Sequence, residues 1–224
     1  MNFKNLIKLI LIFILFYFIK YVQYIPVYLF NMDLSNLSGE EEVFLNLFSN
    51  LCLLLILLFI YRKDLVKYYN KLKGKRLITF NSSLKYYILG IFLMIISNVV
   101  ITILFKGGGA NNEKTVQEMI TASPILMFIN AALIAPVTEE LTFRKTYMDA
   151  FPDKELFVTL SALMFGLAHV ISSSSTIFEF LYFIPYSCLG LAFALMDKES
   201  DNVLPSIFFH MMHNGLLTIL SSII

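Results

Sequence analysis

Charged side chains are scarce in this sequence of 224 residues. They make up 15% of it, whereas a soluble domain carries roughly 25%. Hydrophobic residues account for 58%, and the mean hydropathy is +0.75. These values exclude an ordinary soluble enzyme. The length leaves room for one domain only, so we predict a single integral membrane domain over residues 1–224.

Cysteine and tryptophan are also nearly missing, with two cysteines and no tryptophan. Cys52 and Cys188 both lie inside apolar runs, so we expect small core residues and neither a disulfide nor a metal site. The lack of Trp beside many Phe, Ile, Asn, Lys and Tyr residues is typical of a low-GC genome and predicts a bacterial source. The first apolar run, up to Phe30, has no small-x-small cleavage site after it, so we expect a retained helix and not a signal peptide.

Long apolar runs are what the sequence has in abundance. A membrane-spanning helix needs about 20 mostly apolar residues. We expect Pro185 to kink the run at residues 177–196, and we expect Tyr182 and Tyr186 beside it to be structural. The pattern predicts an all-α, polytopic transmembrane helix bundle of about seven helices, at residues 6–30, 43–61, 84–105, 124–143, 156–172, 177–196 and 203–223.

Basic residues predict how these helices are oriented. Residues 62–76 contain seven Lys or Arg residues and one acid, whereas Glu40–Glu42 precede the second run. Because basic loops are retained in the cytoplasm, we expect a plasma-membrane protein with a cytoplasmic N-terminus. The basic loop is a topology determinant that also contacts anionic lipid headgroups, or else a docking site for an acidic partner. Residues 106–123, with Gly107–Gly109 and two asparagines, are predicted to form a flexible outer loop.

Ionisable residues inside apolar segments are costly and point to function. They are concentrated in residues 124–224, and the first group is Glu139, Glu140 and Arg144. Glu140 and Arg144 are four residues apart and share a helix face, so they can form an ion pair. Glu139 is turned about 100° away and lacks that partner. We therefore expect Glu140 to be neutralised by Arg144 and Glu139 to face a neighbouring helix.

Two further helices carry polar residues at helical spacing. Phe165 and His169 are four residues apart in the fifth run, and His210 and Asn214 are four apart in the seventh. His213 is predicted to support them from the side. If the helices bundle, one free carboxylate, two imidazoles and an amide converge, and this set suits hydrolysis.

The chemistry follows from these side-chain types. Glutamate can activate water as a general base, and histidine can polarise it or shuttle a proton. Histidine and asparagine can also donate hydrogen bonds to an oxyanion. No serine or cysteine is placed as a nucleophile. One conflict remains, because a straight count puts His169 about 20 Å above the start of its helix, whereas Glu139 and His210 lie nearer the cytoplasmic face.

The three motifs Glu139-Glu140-x-x-x-Arg144, Phe165-x-x-x-His169 and His210-x-x-x-Asn214 resemble the signature of the CAAX protease and bacteriocin-processing enzyme family. These proteins are Abi-type intramembrane glutamic endopeptidases. The resemblance covers residues 124–224, the expected catalytic core, and leaves helices in residues 1–123 without a motif.

The resemblance implies a role for each site residue. Glu139 would activate water, His169 would assist that water, and His210 with Asn214 would stabilise the oxyanion. The supporting residues Glu140 and Arg144 would orient the site, and Phe165 would pack beside His169. Cleavage would take place near the cytoplasmic side of the membrane, without a metal or other cofactor.

The expected partners are a peptide or small protein substrate and the lipid bilayer, with no nucleic acid. A bacterial source favours leader peptides, pheromone precursors or bacteriocin precursors over prenylated proteins. Three other readings stay open at this point. Glutamates and histidines on three helices could bind zinc in a metalloprotease, although no His-Glu-x-x-His is present. The chain could instead be a non-catalytic membrane scaffold or immunity protein, or a small ion or proton transporter.

Overall fold

A computed structural model describes residues 3–105 and 110–223, and within these ranges the chain is helical and contains no β-strand. All seven predicted runs form helices. Gly107–Gly109 of the predicted outer loop lie outside the described residues. The helices of the described ranges are α1 (Phe3–Leu29), α2 (Gly39–Leu72), α3 (Arg76–Phe105), α4 (Asn111–Ala122), α5 (Pro124–Ala150), α6 (Lys154–Val170), α7 (Ile177–Phe180), α8 (Phe183–Ser200) and α9 (Leu204–Ile223).

Five of these stretches are long and apolar enough to cross a membrane, namely α1, α2, α3, α5 and the continuous segment Ile177–Ser200. The other two predicted spans are α6, which has 17 residues, and α9, whose 20 residues include two histidines and an asparagine. The predicted all-α membrane bundle is therefore confirmed. The number of seven crossings stays a prediction.

The helices α2 and α3 are longer than their apolar runs. The predictions were 43–61 and 84–105, but the helices cover Gly39–Leu72 and Arg76–Phe105. Hydropathy locates only the apolar middle, and Lys, Arg and Leu are good helix formers that carry the helix into the polar phase. At about 1.5 Å per residue, α2 is roughly 50 Å long, well beyond a hydrocarbon core of about 30 Å. The basic residues 62–76 therefore lie mostly on two helix ends and not in a loop.

A second correction concerns the predicted outer loop 106–123, because Asn111–Ala122 form the helix α4. Its apolar side chains follow helical spacing, and Ile120 packs with Val43 of α2 and Met127 of α5. The approach of α2 is close, since a Cβ on Gly39 would lie 2.7 Å from the Ala122 Cβ. A polar, short amphipathic helix escapes a search for apolar runs, which explains why this element was missed.

Proline shapes the segment 177–196 differently from the predicted kink. The break lies at Leu181 and Tyr182, between α7 and α8, and Pro185 occupies the first turn of α8. A proline is tolerated there because the N–H groups of the first turn have no intrahelical partner. Cys52 and Cys188, the two cysteines, are free and partly buried.

The bundle has two chemically different ends. At the end that carries residues 62–76, here called the basic end, Lys71 pairs with Asp201 at 3.0 Å, and Lys85 with Glu199 at 2.9 Å. At the opposite end, here called the α4 end, Gln117 of α4 donates to the Ser221 carbonyl of α9 at 3.2 Å. Helix α8 packs most extensively on α6 and α3, and α9 packs on α5 and α8. The polar residues of α5, α6 and α9 meet between these layers.

Candidate active site

Helix α5 presents two adjacent glutamates to different surroundings. Glu140 is fully buried and forms an ion pair with Arg144, with 3.1 Å between Oε2 and Nε. Its other oxygen, Oε1, lies 2.8 Å from Nδ1 of His210. A buried charge needs such partners, because an unpaired ion in an apolar interior is strongly destabilising. The predicted pairing of Glu140 with Arg144 is present in the structure.

A proline in α5 frees a backbone carbonyl for Asn214. The segment Ile129–Ile134 is a π-helix, in which the N–H of Ala135 bonds to the carbonyl of residue 130. By the same i→i+5 pattern the carbonyl of Ala131 would bond to the nitrogen of residue 136, which is Pro136 and has no N–H. The Asn214 side chain takes this position and donates from Nδ2 to the Ala131 carbonyl at 3.0 Å.

Glu139 faces the two imidazoles, as the helix spacing predicts. Its Oε2 atom lies 3.8 Å from Nε2 of His169 and 3.7 Å from Nε2 of His210. Both separations exceed a direct hydrogen bond. This oxygen is buried and has no hydrogen-bond partner among the described residues. The conflict over the depth of His169 is thereby resolved, since α6 brings it level with Glu139.

The hydrogen-bond partners of the Nδ1 atoms indicate which nitrogen of each site histidine carries the proton. Nδ1 of His169 lies 2.8 Å from the Phe165 carbonyl, and Nδ1 of His210 faces the ion-paired Glu140. Both partners only accept hydrogen bonds, so both Nδ1 atoms carry the proton and donate it. In the neutral rings each Nε2 is then an acceptor. Three acceptor atoms, two nitrogens and one carboxylate oxygen, surround one small volume and can accept protons from a molecule placed there.

Aromatic rings hold both imidazoles. The ring of His169 lies between Phe165, at 4.4 Å, and Tyr186, which stacks on it at 4.5 Å and 24°. Phe193 stacks on His210 at 4.8 Å and 26°. The predicted packing of Phe165 beside His169 is therefore present. Tyr186 was expected to be purely structural, but it contacts a site imidazole directly. Only its position in space reveals this, because no polar spacing marks it in the sequence.

Two of these aromatic residues, Phe165 and Phe193, also contact Arg144. Its guanidinium lies 4.3 Å from the Phe165 ring centroid and 5.6 Å from that of Phe193. The same region contains a buried acid that sequence reasoning did not single out. Asp197 of α8 accepts a hydrogen bond from Ser206 at 2.9 Å. His213, the third histidine, contacts the Tyr87 hydroxyl through Nδ1 at 3.2 Å, which fits a supporting position.

A cavity of about 720 Å³ connects these side chains with the α4 end. Glu139, His169, His210, Asn214 and Phe165 all line it, and the exposed residues of α4 line its far part. Volumes of this size are typical of ligand sites. The polar residues of the lining away from the site include Asn46, Asn50, Asn98, Asn112, Gln117 and Ser221.

The structure brings three of the predicted site residues together, because Nε2 of His169 and Nε2 of His210 both lie within 3.8 Å of Glu139 Oε2. Asn214 lies on the same cavity wall but uses Nδ2 for a backbone carbonyl. In the part of the chain that the structure describes, no group of three or more His, Cys, Asp or Glu residues has the arrangement of a metal site. The catalytic roles of these residues stay predictions.

Comparison with known proteins agrees with the motifs. Residues 121–216 match the family model described as Rce1-like, "Type II CAAX prenyl endopeptidase Rce1-like". A relative from Bacillus subtilis (strain 168), named "Putative membrane peptidase YdiL", is 26% identical over 141 residues, which is 62% of this chain and 48% of the relative. The aligned part thus spans about half of that relative's length. No solved structure matches the chain.

The matched segment contains all three motifs, from Glu139 to Asn214. Residues 121–216 are therefore similar to the type II CAAX prenyl endopeptidases, in agreement with the family resemblance of the three motifs.

Proposed function

We propose that the chain is an intramembrane endopeptidase that hydrolyses a peptide bond with water activated by Glu139. The observation that carries this proposal is the position of Glu139 Oε2, buried in a cavity and 3.7–3.8 Å from two imidazole Nε2 atoms. A water molecule between these three acceptors can donate its protons to two of them. Its oxygen lone pair is then directed at an incoming carbonyl carbon.

In the proposed reaction, Glu139 removes a proton from water while the oxygen bonds to the carbonyl carbon of the substrate. The carbonyl oxygen becomes an oxyanion in a tetrahedral intermediate. Collapse of this intermediate breaks the C–N bond, and the proton held by Glu139 passes to the leaving amine. His169 holds the water through Nε2, and its ring is fixed by Phe165 and Tyr186.

His210 and Asn214 are the proposed oxyanion donors. In this role Nε2 of His210 carries a proton, so the water donates its protons to Glu139 and His169 and not to His210. The positive charge of the His210 ring then lies against the carboxylate of Glu140. Asn214 has a second Nδ2 hydrogen besides the one that bonds to the Ala131 carbonyl. Preorganised donors in a water-poor site contribute strongly to the stabilisation of such a charge. Arg144 keeps Glu140 ionised and in place.

The charge distribution suggests how the protein lies in the membrane. We place the N-terminus and the basic end in the cytoplasm, because residues 62–76 hold the largest cluster of basic side chains and basic segments are retained on that side. The cavity extends towards the opposite end, where exposed residues of α4 line it. The substrate would then enter from the outer face, and not from the cytoplasmic side that the family resemblance implies.

The proposed substrate is a small peptide or the end of an exported protein. An extended chain can reach the site through the cavity, whereas a folded domain cannot enter a volume of about 720 Å³. We further propose that residues 124–224 form the catalytic core of one domain that covers residues 1–224. A pheromone, leader or bacteriocin precursor fits these requirements.

The proposal is tested with the purified full chain in detergent and a library of quenched fluorogenic peptides. Glu139→Gln keeps the size of the side chain and removes the base, so cleavage should fall by about a thousandfold. His169→Ala should also be inactive. Glu118→Gln serves as the matched control, because Glu118 is exposed and lies outside the cavity. Its rate should equal that of the original chain.

Two other results would redirect the assignment. Cleavage by the Glu139→Gln variant at the original rate would remove Glu139 from the proposed role. Loss of cleavage on addition of a chelator, with recovery on addition of zinc, would favour a metalloprotease. If the original chain cleaves nothing and Glu139→Ala restores the cellular phenotype of a deletion strain, the scaffold reading would be preferred.

A further inference from the structure

The cavity contains a second carboxylate that the proposed reaction does not use. Glu113 belongs to α4, and its side chain lines the cavity together with the site residues. Its backbone N–H donates to the Ala110 carbonyl at 3.0 Å, but its carboxyl group has no hydrogen bond or ion pair with any residue that the structure describes. Although exposed to the cavity space, it is surrounded by the cavity walls, and this partial burial raises the pKa of its carboxyl group. A neighbouring cation would offset the free-energy cost of ionising this carboxyl group.

The lysine and arginine residues that the structure describes lie outside the cavity lining, whereas two glutamates belong to it. Among the described residues, the lining includes the carboxylates of Glu113 and Glu139 and contains no lysine or arginine. The nearest basic residue in sequence, Lys114, is directed to the Asn111 side-chain oxygen at 3.4 Å and does not line the cavity. A concave site with negative groups and low-dielectric walls concentrates positive charge.

A chain of contacts connects Glu113 with the reacting groups. Its neighbour Asn112 donates from Nδ2 to the Tyr186 hydroxyl at 3.2 Å, and the Tyr186 ring stacks on His169 at 4.5 Å. The turn of α4 that carries Glu113 therefore contacts a residue that packs on His169, and Glu113 lines the same cavity as Tyr186 and Glu139. An extended peptide rises about 3.3 Å per residue, so a substrate bound at Glu139 reaches Glu113 within a few residues.

We propose that Glu113 is a specificity-determining residue that binds a basic side chain, lysine or arginine, of the peptide substrate a few residues from the cleaved bond. This inference rests on the proposed peptidase function and adds the substrate class. A structural role alone is the competing explanation, since Glu113 lies in the first turn of α4, where an acid stabilises the helix N-terminus. The two explanations differ in whether the affinity for the peptide falls when the charge of its lysine is removed.

The test measures binding and so does not depend on cleavage. Fluorescent ten-residue apolar peptides carry one lysine at each successive position, and a matched set carries Nε-acetyl-lysine. Fluorescence polarisation gives their affinity for the full-length Glu139→Gln chain in detergent. At one or two positions lysine should bind about tenfold more tightly than acetyl-lysine. The additional change Glu113→Gln should abolish this difference, and Glu118→Gln, in the same helix but outside the cavity, should preserve it.

Charge reversal provides a second measurement. Glu113→Lys should give a preference for peptides with glutamate at the same positions, a result that a role in helix stability does not produce. Equal affinity of the two peptide sets, no binding of either set, or a lysine preference that survives Glu113→Gln would overturn the inference. A lysine preference without any cleavage by the original chain would support the subsite and count against the peptidase.

Discussion

At the scale of single residues, Tyr186 belongs to none of the three motifs but contacts a site histidine directly. It stacks on His169 with its ring and accepts from Asn112 with its hydroxyl. Because the imidazole is held between two rings, removal of one ring should let it rotate away from Glu139. Tyr186 is thus expected to be a positioning residue for the proposed base and water.

We expect Tyr186→Ala to lower kcat by about fivefold, since an aromatic pair contributes roughly 1 kcal/mol. KM should change less than kcat. Tyr186→Phe retains the ring and should restore most of the rate. Steady-state kinetics of both variants with one cleaved peptide provide the measurement. Equal losses in the two variants would mean that the hydroxyl, and not the stacking, is what the site needs.

The residue scale is also where sequence reasoning is most informative. A charged group in an apolar helix is so costly that Glu139, Glu140 and Arg144 stand out without any structure. Helical spacing then separates the paired glutamate from the free one, and the geometry agrees. Asp197 and Tyr186 could not be identified in this way. Asp197 is one of three acids in residues 197–201 at the end of α8, and Tyr186 is one of 12 tyrosines.

At the scale of helices, the sequence predicts where apolar segments lie but not how long the helices are. The apolar runs of α2 and α3 end where lysine and arginine begin, although the helices continue. The π-helical segments Ile129–Ile134 and Glu140–Lys145 of α5 were equally hidden, because the i→i+5 hydrogen bonds that define them leave no hydropathy pattern in the sequence. Asn214 is anchored by one of these segments, so its main contact could not be predicted from the motif.

Close packing of α6 on α8 gives a prediction at this scale. A Cβ on Gly166 would lie 2.1 Å from the Ser187 Oγ and 2.5 Å from the Phe183 carbonyl oxygen. The backbone of α8 cannot move away without disturbing its packing on α3. We therefore expect Gly166→Ala to destabilise the protein by about 2–3 kcal/mol, seen as a lower thermal midpoint in detergent.

Gly215 of α9 is the matched control, because a Cβ there would meet its nearest atoms at 3.6 and 3.9 Å, which is ordinary contact. Gly215→Ala should leave the thermal midpoint close to that of the original chain. A midpoint for Gly166→Ala that equals the Gly215→Ala value would show that the two helices can separate more easily than their contacts indicate.

At the scale of the whole molecule, charge is distributed along the axis of the bundle. Basic side chains cluster at the end where α2 meets α3, and the cavity extends to the end that carries α4. Because basic residues are retained in the cytoplasm, this charge asymmetry predicts from which side of the membrane a substrate reaches the site. If the proposed orientation is correct, the cavity faces the outside, and a cytoplasmic peptide has no direct path to Glu139.

Single cysteines test this orientation without any need for activity. In a background of Cys52→Ala and Cys188→Ala, we introduce Gln117→Cys at the α4 end or Asn70→Cys at the basic end; both positions are exposed. A membrane-impermeant maleimide added to intact spheroplasts should label Gln117→Cys and should label Asn70→Cys only after permeabilisation. The reverse pattern would place the cavity on the cytoplasmic side. It would also favour peptides that have not left the cytoplasm as substrates, because the cavity would then extend towards the cytoplasm.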